Sequence, residues 1–489
     1  MERAATGIRG LDTILCDGLP RDRIYLVEGD PGVGKTTLAL QFLLEGRRRG
    51  ESVLFITLSE SEQEIRSIAD SHGMSLDGIA LFELSALEQQ MRLEAQNTVF
   101  HPSDVELTET TRAVLDFVGK VKPQRVVFDS LSELRLLAQN PLRYRREVLN
   151  LKQYFTGKQA TVLLLDDRTS EPGDMQLQSL AHGVISMEQM APDYGGDRRR
   201  LRVSKLRGAQ FLSGYHDFKI ARGGLEVFPR LVAAEHHEQY ERTSVSSGLG
   251  PLDAMLGGGL TRGTSTLFIG PAGSGKSAIA SLYAVAAARR GERAAIFAFD
   301  ELRRTTIDRA DALGMNMSAE IDAGRIIVQQ IDPAEMSPGE LAHRARALIE
   351  DQGFKFIVID SLNGYLQAMP AEKYLYIQLH ELLTYFGQLG ATTVMVMAQA
   401  GIVGPTLAPA DVSYIADSVL LLRYFENQGR VRKAISCIKK RTGPHEDTIR
   451  ELKLDQVHGI TIGEPLRDFR GVLTSAPDFY NDHRRLEKS

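Results

Sequence analysis

The chain repeats itself once along its length. GIRGLDTIL at Gly7–Leu15 returns as GLGPLDAML at Gly248–Leu256, and GDPGVGKTT from Gly29 returns as GPAGSGKSA from Gly270, both 241 residues on. The spacing holds through Ala69, Asp70, Gly73 and Met74, matched by Ala310, Asp311, Gly314 and Met315. It falls to 231 between Asp129 and Asp360, so the first copy is longer in the polar stretch Glu88–Arg112. A period this long marks a duplicated domain; solenoid units run about 20–50 residues. Each copy is long enough to bury its own core. The 489 residues therefore divide into one domain at 1–230 and a second at 248–462. A polar linker at 231–247 joins them, and a tail at 463–489 has no counterpart in the first copy.

Within each copy, continuous apolar runs alternate with helical patterns. RIYLVEG, SVLFITL, RVVFD and TVLLLD in the first are answered by STLFIG, AAIFAFD, FIVID and TVMVMA in the second. Runs without polar alternation suit strands covered on both faces, as in a parallel sheet with helices on either side. The fold class is α/β, built twice, each copy a mainly parallel sheet flanked by helices.

Gly29-Asp30-Pro31-Gly32-Val33-Gly34-Lys35-Thr36 fits G-x-x-x-x-G-K-[ST] at every fixed position, with Thr37 following. Gly270-Pro271-Ala272-Gly273-Ser274-Gly275-Lys276-Ser277 fits it too, followed by Ala278. Glycines let successive backbone N–H groups turn inward around phosphate oxygens, and the helix that follows points its positive end at them. The lysine neutralises the β- and γ-phosphates, and the Thr36 or Ser277 hydroxyl ligates Mg²⁺. Both loops sit between an apolar strand and a helix, so ATP with Mg²⁺ is the expected cofactor pair at each. Asp129 and Asp360 end apolar strands at the ligand-binding edge of a parallel sheet, where an acid completes the Mg²⁺ shell. Hydrolysis also needs a group to orient or deprotonate water. Glu60, after Ser59, and the pair Asp300-Glu301 stand at matching places after the next strand.

Composition narrows the function further. With 58 Lys and Arg against 63 Asp and Glu the net charge is −5, which argues against nonspecific nucleic-acid binding. No apolar run approaches the roughly 18–20 residues that cross a bilayer, and MERAATGIRGLD has no apolar secretory core. Two cysteines, Cys16 and Cys437, are too few for a disulfide framework and fit a reducing cytoplasm.

The doubled phosphate loop, the carboxylates after the next strand, FDSL and IDSL, and the K-x-R pairs together resemble the KaiC family of circadian-clock ATPases and autokinases. The similarity runs over roughly residues 4–475 and takes in DVSYIADSVLLLRYFE at Asp411–Glu426 and DFRG at Asp468–Gly471. The resemblance implies two tandem RecA-like P-loop domains, a homohexamer of two stacked rings, and ATP held between neighbouring subunits. Lys205 and Arg207 would then reach the first-ring ATP of the adjacent subunit, and Lys439 and Arg441 the second-ring ATP. It also implies autophosphorylation in the second domain at the adjacent Ser413 and Tyr414. Tyrosine stands where the family has threonine, and its phenol reaches further, so the expectation rests on Ser413 with Asp300 as base and Glu301 in support. The family's paired glutamates are reduced here to Ser59-Glu60, leaving Glu60 to position water. A KaiB-like or other signalling protein is the implied partner. The rivals are a RecA-like DNA-dependent ATPase, for which no basic DNA-contacting loop is evident, and an ATP-gated scaffold with little turnover.

Other features have plainer readings. Arg47-Arg48-Arg49 and Arg289-Arg290 complement the negative ends of the phosphate-loop helices. Arg198-Arg199-Arg200 lacks interleaved aromatics and reads as a solvated loop entering a strand. His236-His237 has no third ligand at metal spacing.

Overall fold

A computed structural model describes residues 2–84, 102–138, 140–167, 176–192, 195–233, 239–367, 375–399, 414–467, 469–470, 472 and 478–479. The chain forms two compact units, residues 1–230 and 231–489. The first is built on a nine-stranded sheet. From one edge its order is Gly224–Phe228, His216–Ala221, Arg198–Leu206, Gly183–Met190, Ile24–Gly29, Thr161–Asp166, Arg125–Asp129, Val53–Thr57 and Ala80–Glu83. The six strands from Gly183–Met190 onward run parallel, and the other three add an antiparallel meander. The second unit repeats this order with Gly459–Pro465, Ile449–Asp455, Arg430–Lys440, Ser418–Asn427, Ser265–Gly270, Thr392–Ala398, Phe354–Asp360, Arg293–Ala298 and Ile326–Gln330.

The unbroken apolar runs are explained by where successive side chains go. In the first unit Tyr25, Val27, Val53, Phe55 and Val127 enter one buried cluster. Their neighbours Ile24, Leu26, Leu54, Ile56, Val126 and Phe128 enter another on the opposite face. A strand side chain alternates faces, so a sheet covered on both sides needs apolar residues at every position. Truncating a fully buried ring such as Phe55 to alanine is expected to cost about 3–5 kcal/mol.

Both ends of the second unit are larger than the sequence reading gave them. Ser244–Val245 pairs with Leu260–Thr261, as Arg3–Ala4 pairs with Leu19–Pro20 in the first unit. Ala233 is buried in the second core, and a Cβ at Gly390 would lie 2.8 Å from the ring of Tyr240. Ala233, Tyr240 and Ser244–Val245 of the polar segment therefore pack on the second unit. At the other end, the last sheet strand runs to Pro465, and Val472 is buried with Phe425 and Ala434. Residues 85–101, His236-His237, Ser413 and residues 481–489 lie outside the described residues.

Candidate active site

Each phosphate loop leaves the carboxyl end of a central strand and turns into a helix, Lys35–Arg48 or Lys276–Arg289. Two glycine positions are fixed by sterics. At Gly29 and Gly270 a Cβ would sit 2.5 Å from the Met187 carbonyl oxygen and 2.3 Å from that of Leu422. Gly34 and Gly275 adopt φ of 110° and 108°, the left-handed region in which a side chain is strained. The loop can thus lie against the next strand and still start a helix whose free N–H groups face outward.

In the first unit the predicted residues converge. Thr36 Oγ1 donates to Asp129 Oδ2 at 2.9 Å. Lys35 Nζ donates to the carbonyls of Gly29 and Asp30 at 2.8 and 2.9 Å and pairs with Asp167 at 2.8 Å. Glu60 is set by its backbone: Thr57 Oγ1 donates to its carbonyl at 2.7 Å and its N–H donates back to Thr57 at 3.0 Å. The next helix, Glu62–Ser71, begins at once with a reciprocal cap between Ser61 and Glu64. Glu60 Oε2 is enclosed and has no hydrogen-bond partner among the described residues. Desolvation pushes the Asp129 carboxyl up to about 6, and the charges of Glu60 and Asp167 add to the rise. Glu60 is raised by desolvation, then by Glu64 and Asp167.

The second unit uses the same frame with different partners. Lys276 Nζ donates to the Pro271 carbonyl at 2.7 Å, and desolvation lowers the ammonium to about 8. Asp360 is raised to about 6 by desolvation, against a hydrogen bond from Ser277. Asp300 accepts a hydrogen bond from Ser361. Glu301 pairs with Arg309 at 2.5 Å.

A hydroxyl and an acid whose ionised form is disfavoured make a fitting place for Mg²⁺, which keeps several waters and takes only one or two protein ligands beside phosphate oxygens. Thr36 with Asp129, and Ser277 with Asp360, would hold it. Bound there, the ion would polarise the terminal phosphate.

The basic pairs lie elsewhere. Lys205 is level with Val184, and Val184 with Leu26, so the lysine stands roughly 10 Å along the sheet from Gly29. Lys439 is level with Val419 and Leu267, the same distance short of Gly270. Neither can reach the phosphate loop of its own unit. Lys205 donates to the Gln178 carbonyl at 2.6 Å and Arg207 to that of Ser179 at 3.2 Å. Lys439 donates to Ala416 at 2.7 Å and Arg441 to the carbonyl of Tyr414, an exposed residue, at 2.9 Å. Arg441 also lines a polar cleft of about 330 Å³ with Tyr240, Arg242, His380 and Asp417. Desolvation, then the neighbouring guanidinium, depresses both lysines.

Three participants escaped the sequence reading. Asp167 follows the strand TVLLLD, and an acid ending an apolar strand is the same signal that singled out Asp129. Arg309 lies on helix Arg303–Ala312 and carries no signal of its own. Glu28, buried just before the first loop, accepts Ser186 Oγ at 2.8 Å and the Gln178 amide at 3.0 Å; a lone acid inside an apolar run was its mark. Of the arginine runs, Arg48 and Arg49 bind Glu45. Arg200 pairs with Glu188 and lies over Tyr215, so the run at 198–200 belongs to a strand and is partly covered.

Two mostly parallel sheets, each with a glycine loop at the central strand's carboxyl end and a hydroxyl–acid pair beside it, define tandem RecA-like P-loop domains. A family model described as "ATPase: KaiC" matches residues 4–232 and again 245–467. The chain belongs to the KaiC ATPase family. It is 26% identical to the circadian clock protein KaiC3 of Synechocystis sp. across 100% of this chain and 97% of that protein. It is 27% identical to the circadian clock oscillator protein KaiC of Thermostichus vulcanus and 26% to that of Picosynechococcus sp., over 98% of this chain and 92% of each relative. Among the described residues no helix is long and apolar enough to cross a membrane.

Proposed function

We propose that the chain is a ring-forming ATPase with a serine autokinase in its second unit, cycling as a clock or signalling hexamer in the cytoplasm. The observation that carries this is the position of Lys205–Arg207 and Lys439–Arg441. Each pair is held by backbone carbonyls at the end of the sheet away from its own phosphate loop. Cations so placed in both units make sense if they complete the loop of a neighbouring copy, where they would stabilise charge on the transferring phosphoryl group. In the first unit Glu60 orients the attacking water and takes its proton, while Thr36 and Asp129 would hold Mg²⁺. In the second, Asp300 takes the proton of a neighbouring copy's Ser413 hydroxyl as that oxygen attacks the γ-phosphorus of ATP and ADP leaves; Glu301 supports it. Tyr414 is the less suited acceptor because its phenol reaches too far for the same phosphate. A KaiB-like protein or other signalling partner would read the phosphorylation state.

The test is incubation with ATP and Mg²⁺, followed by native mass for ring size and phosphopeptide mapping. Six-membered rings carrying phosphate on Ser413 support the reading. Phosphate solely at other sites sinks the autokinase, and a monomer under saturating ATP sinks the shared sites.

A further inference from the structure

The two phosphate-loop lysines do not have the same surroundings. The three ammonium protons of Lys35 are all engaged, by the Gly29 and Asp30 carbonyls and by Asp167 Oδ1 at 2.8 Å. The other oxygen of Asp167 lies 3.5 Å from Ser130 Oγ, so the carboxylate is held on both sides. In the second sheet Ala398 occupies the matching place. It is level with Gly270, as the residue after Asp166 is with Gly29. Among the described residues Lys276 forms no ion pair. The charge balance differs accordingly. Around the first loop Asp129, Glu60 and Asp167 face one lysine and act on one another. Around the second, Arg309 stands among Asp300, Glu301 and Asp360 as an added cation.

We propose that Asp167 is a positioning residue peculiar to the first unit, whose carboxylate competes with the terminal phosphates of ATP for Lys35. It thereby weakens that site's grip on ATP. For the lysine to reach the β- and γ-phosphates it must release a contact, and the carboxylate it leaves is a like charge close to the incoming phosphate. The inference rests on the first loop binding ATP.

The experiment is titration of the full-length chain carrying Lys276→Ala with Mg²⁺ and a fluorescent ATP analogue, so that only the first loop keeps its lysine. Asp167→Asn in this background is expected to tighten binding about tenfold or more, the scale of one charge-assisted hydrogen bond. The change falls on Kd and KM more than on kcat, and Asp167→Glu restores the weaker binding. Asp167→Ala, which installs the second unit's residue, gives the same result independently. Unchanged or weakened binding in both neutral variants overturns the proposal. So does a collapse of kcat at constant Kd, which would make Asp167 part of the water-orienting machinery. A parent chain with both lysines intact that retains no nucleotide overturns the ATP reading itself.

Discussion

Asp129→Asn should make the first unit more stable while removing its Mg²⁺-dependent turnover. The Asp129 carboxyl is 8% exposed, and its value rises from 3.8 to about 6, chiefly by desolvation. At pH 7.5 the native state holds this carboxylate ionised although the unfolded chain does so more readily. A shift of this size corresponds to about 3 kcal/mol of destabilisation. Asparagine keeps an oxygen to accept the Thr36 hydroxyl, fits the same space and carries no charge. The sign follows from linkage. A carboxyl raised in the folded state binds its proton first there, so the wild type gains stability as pH falls through 6 towards 4 and the variant does not. The gap is therefore widest above pH 7 and closes near pH 4. Urea denaturation followed by circular dichroism should show the first unit's midpoint moved up by about 1 M at pH 7.5, given a slope of about 2–3 kcal/mol/M. A variant no more stable than wild type at pH 7.5, or an advantage that persists unchanged at pH 4, refutes the reasoning.

Three further outcomes follow from the same geometry. Glu60→Gln should lower first-unit hydrolysis by about 10²–10⁴-fold while nucleotide binding persists, because the amide cannot take a proton from water; single-turnover hydrolysis with the second site disabled measures it. Lys205→Ala and Lys35→Ala chains, each deficient in first-unit turnover, should regain part of it when mixed and reassembled, since one type keeps an intact loop and the other an intact basic pair; additive rates after mixing deny shared sites. Arg309→Ala removes the cation that holds down the Asp360 value. The acid limb of the second unit's pH–rate profile should then move to higher pH, and an unmoved limb removes Arg309 from the site.

What could be read from the chain alone depends on how many neighbouring residues a feature needs. A phosphate loop is eight contiguous residues, and its sterics leave no choice at Gly29 or Gly34, so the motif is complete in the sequence. The strands were equally visible because a doubly covered sheet must be apolar at each position, as Tyr25 and Leu26 show by entering opposite clusters. The ends of the units were not. The segment 231–247 is polar by composition, yet two residues of pairing at Ser244–Val245 and one ring, Tyr240, tie it down. Neither leaves a periodic trace. Arg309 was hidden for another reason: its partner Glu301 is eight residues back across a turn, and only the path of helix Arg303–Ala312 brings them together.

The duplication makes these gaps informative. The frame that binds phosphate is retained in both copies: loop, lysine, hydroxyl and strand-ending acid. The groups around it have diverged. Glu28 is answered by Ile269 on the matching strand, Asp167 by Ala398, and Arg309 by Ile68 at the same 241-residue spacing. Glu28 also connects the loop strand to the basic pair: its carboxylate holds the Gln178 amide, and the Gln178 carbonyl holds Lys205. Ile269 can make no such connection in the second unit. Replacing Glu28 should therefore disturb a neighbour's first site through Lys205, whereas the corresponding position in the second unit carries only packing. Two copies that share a phosphate cradle and differ at Glu28, Asp167 and Arg309 are built to handle one nucleotide in two ways.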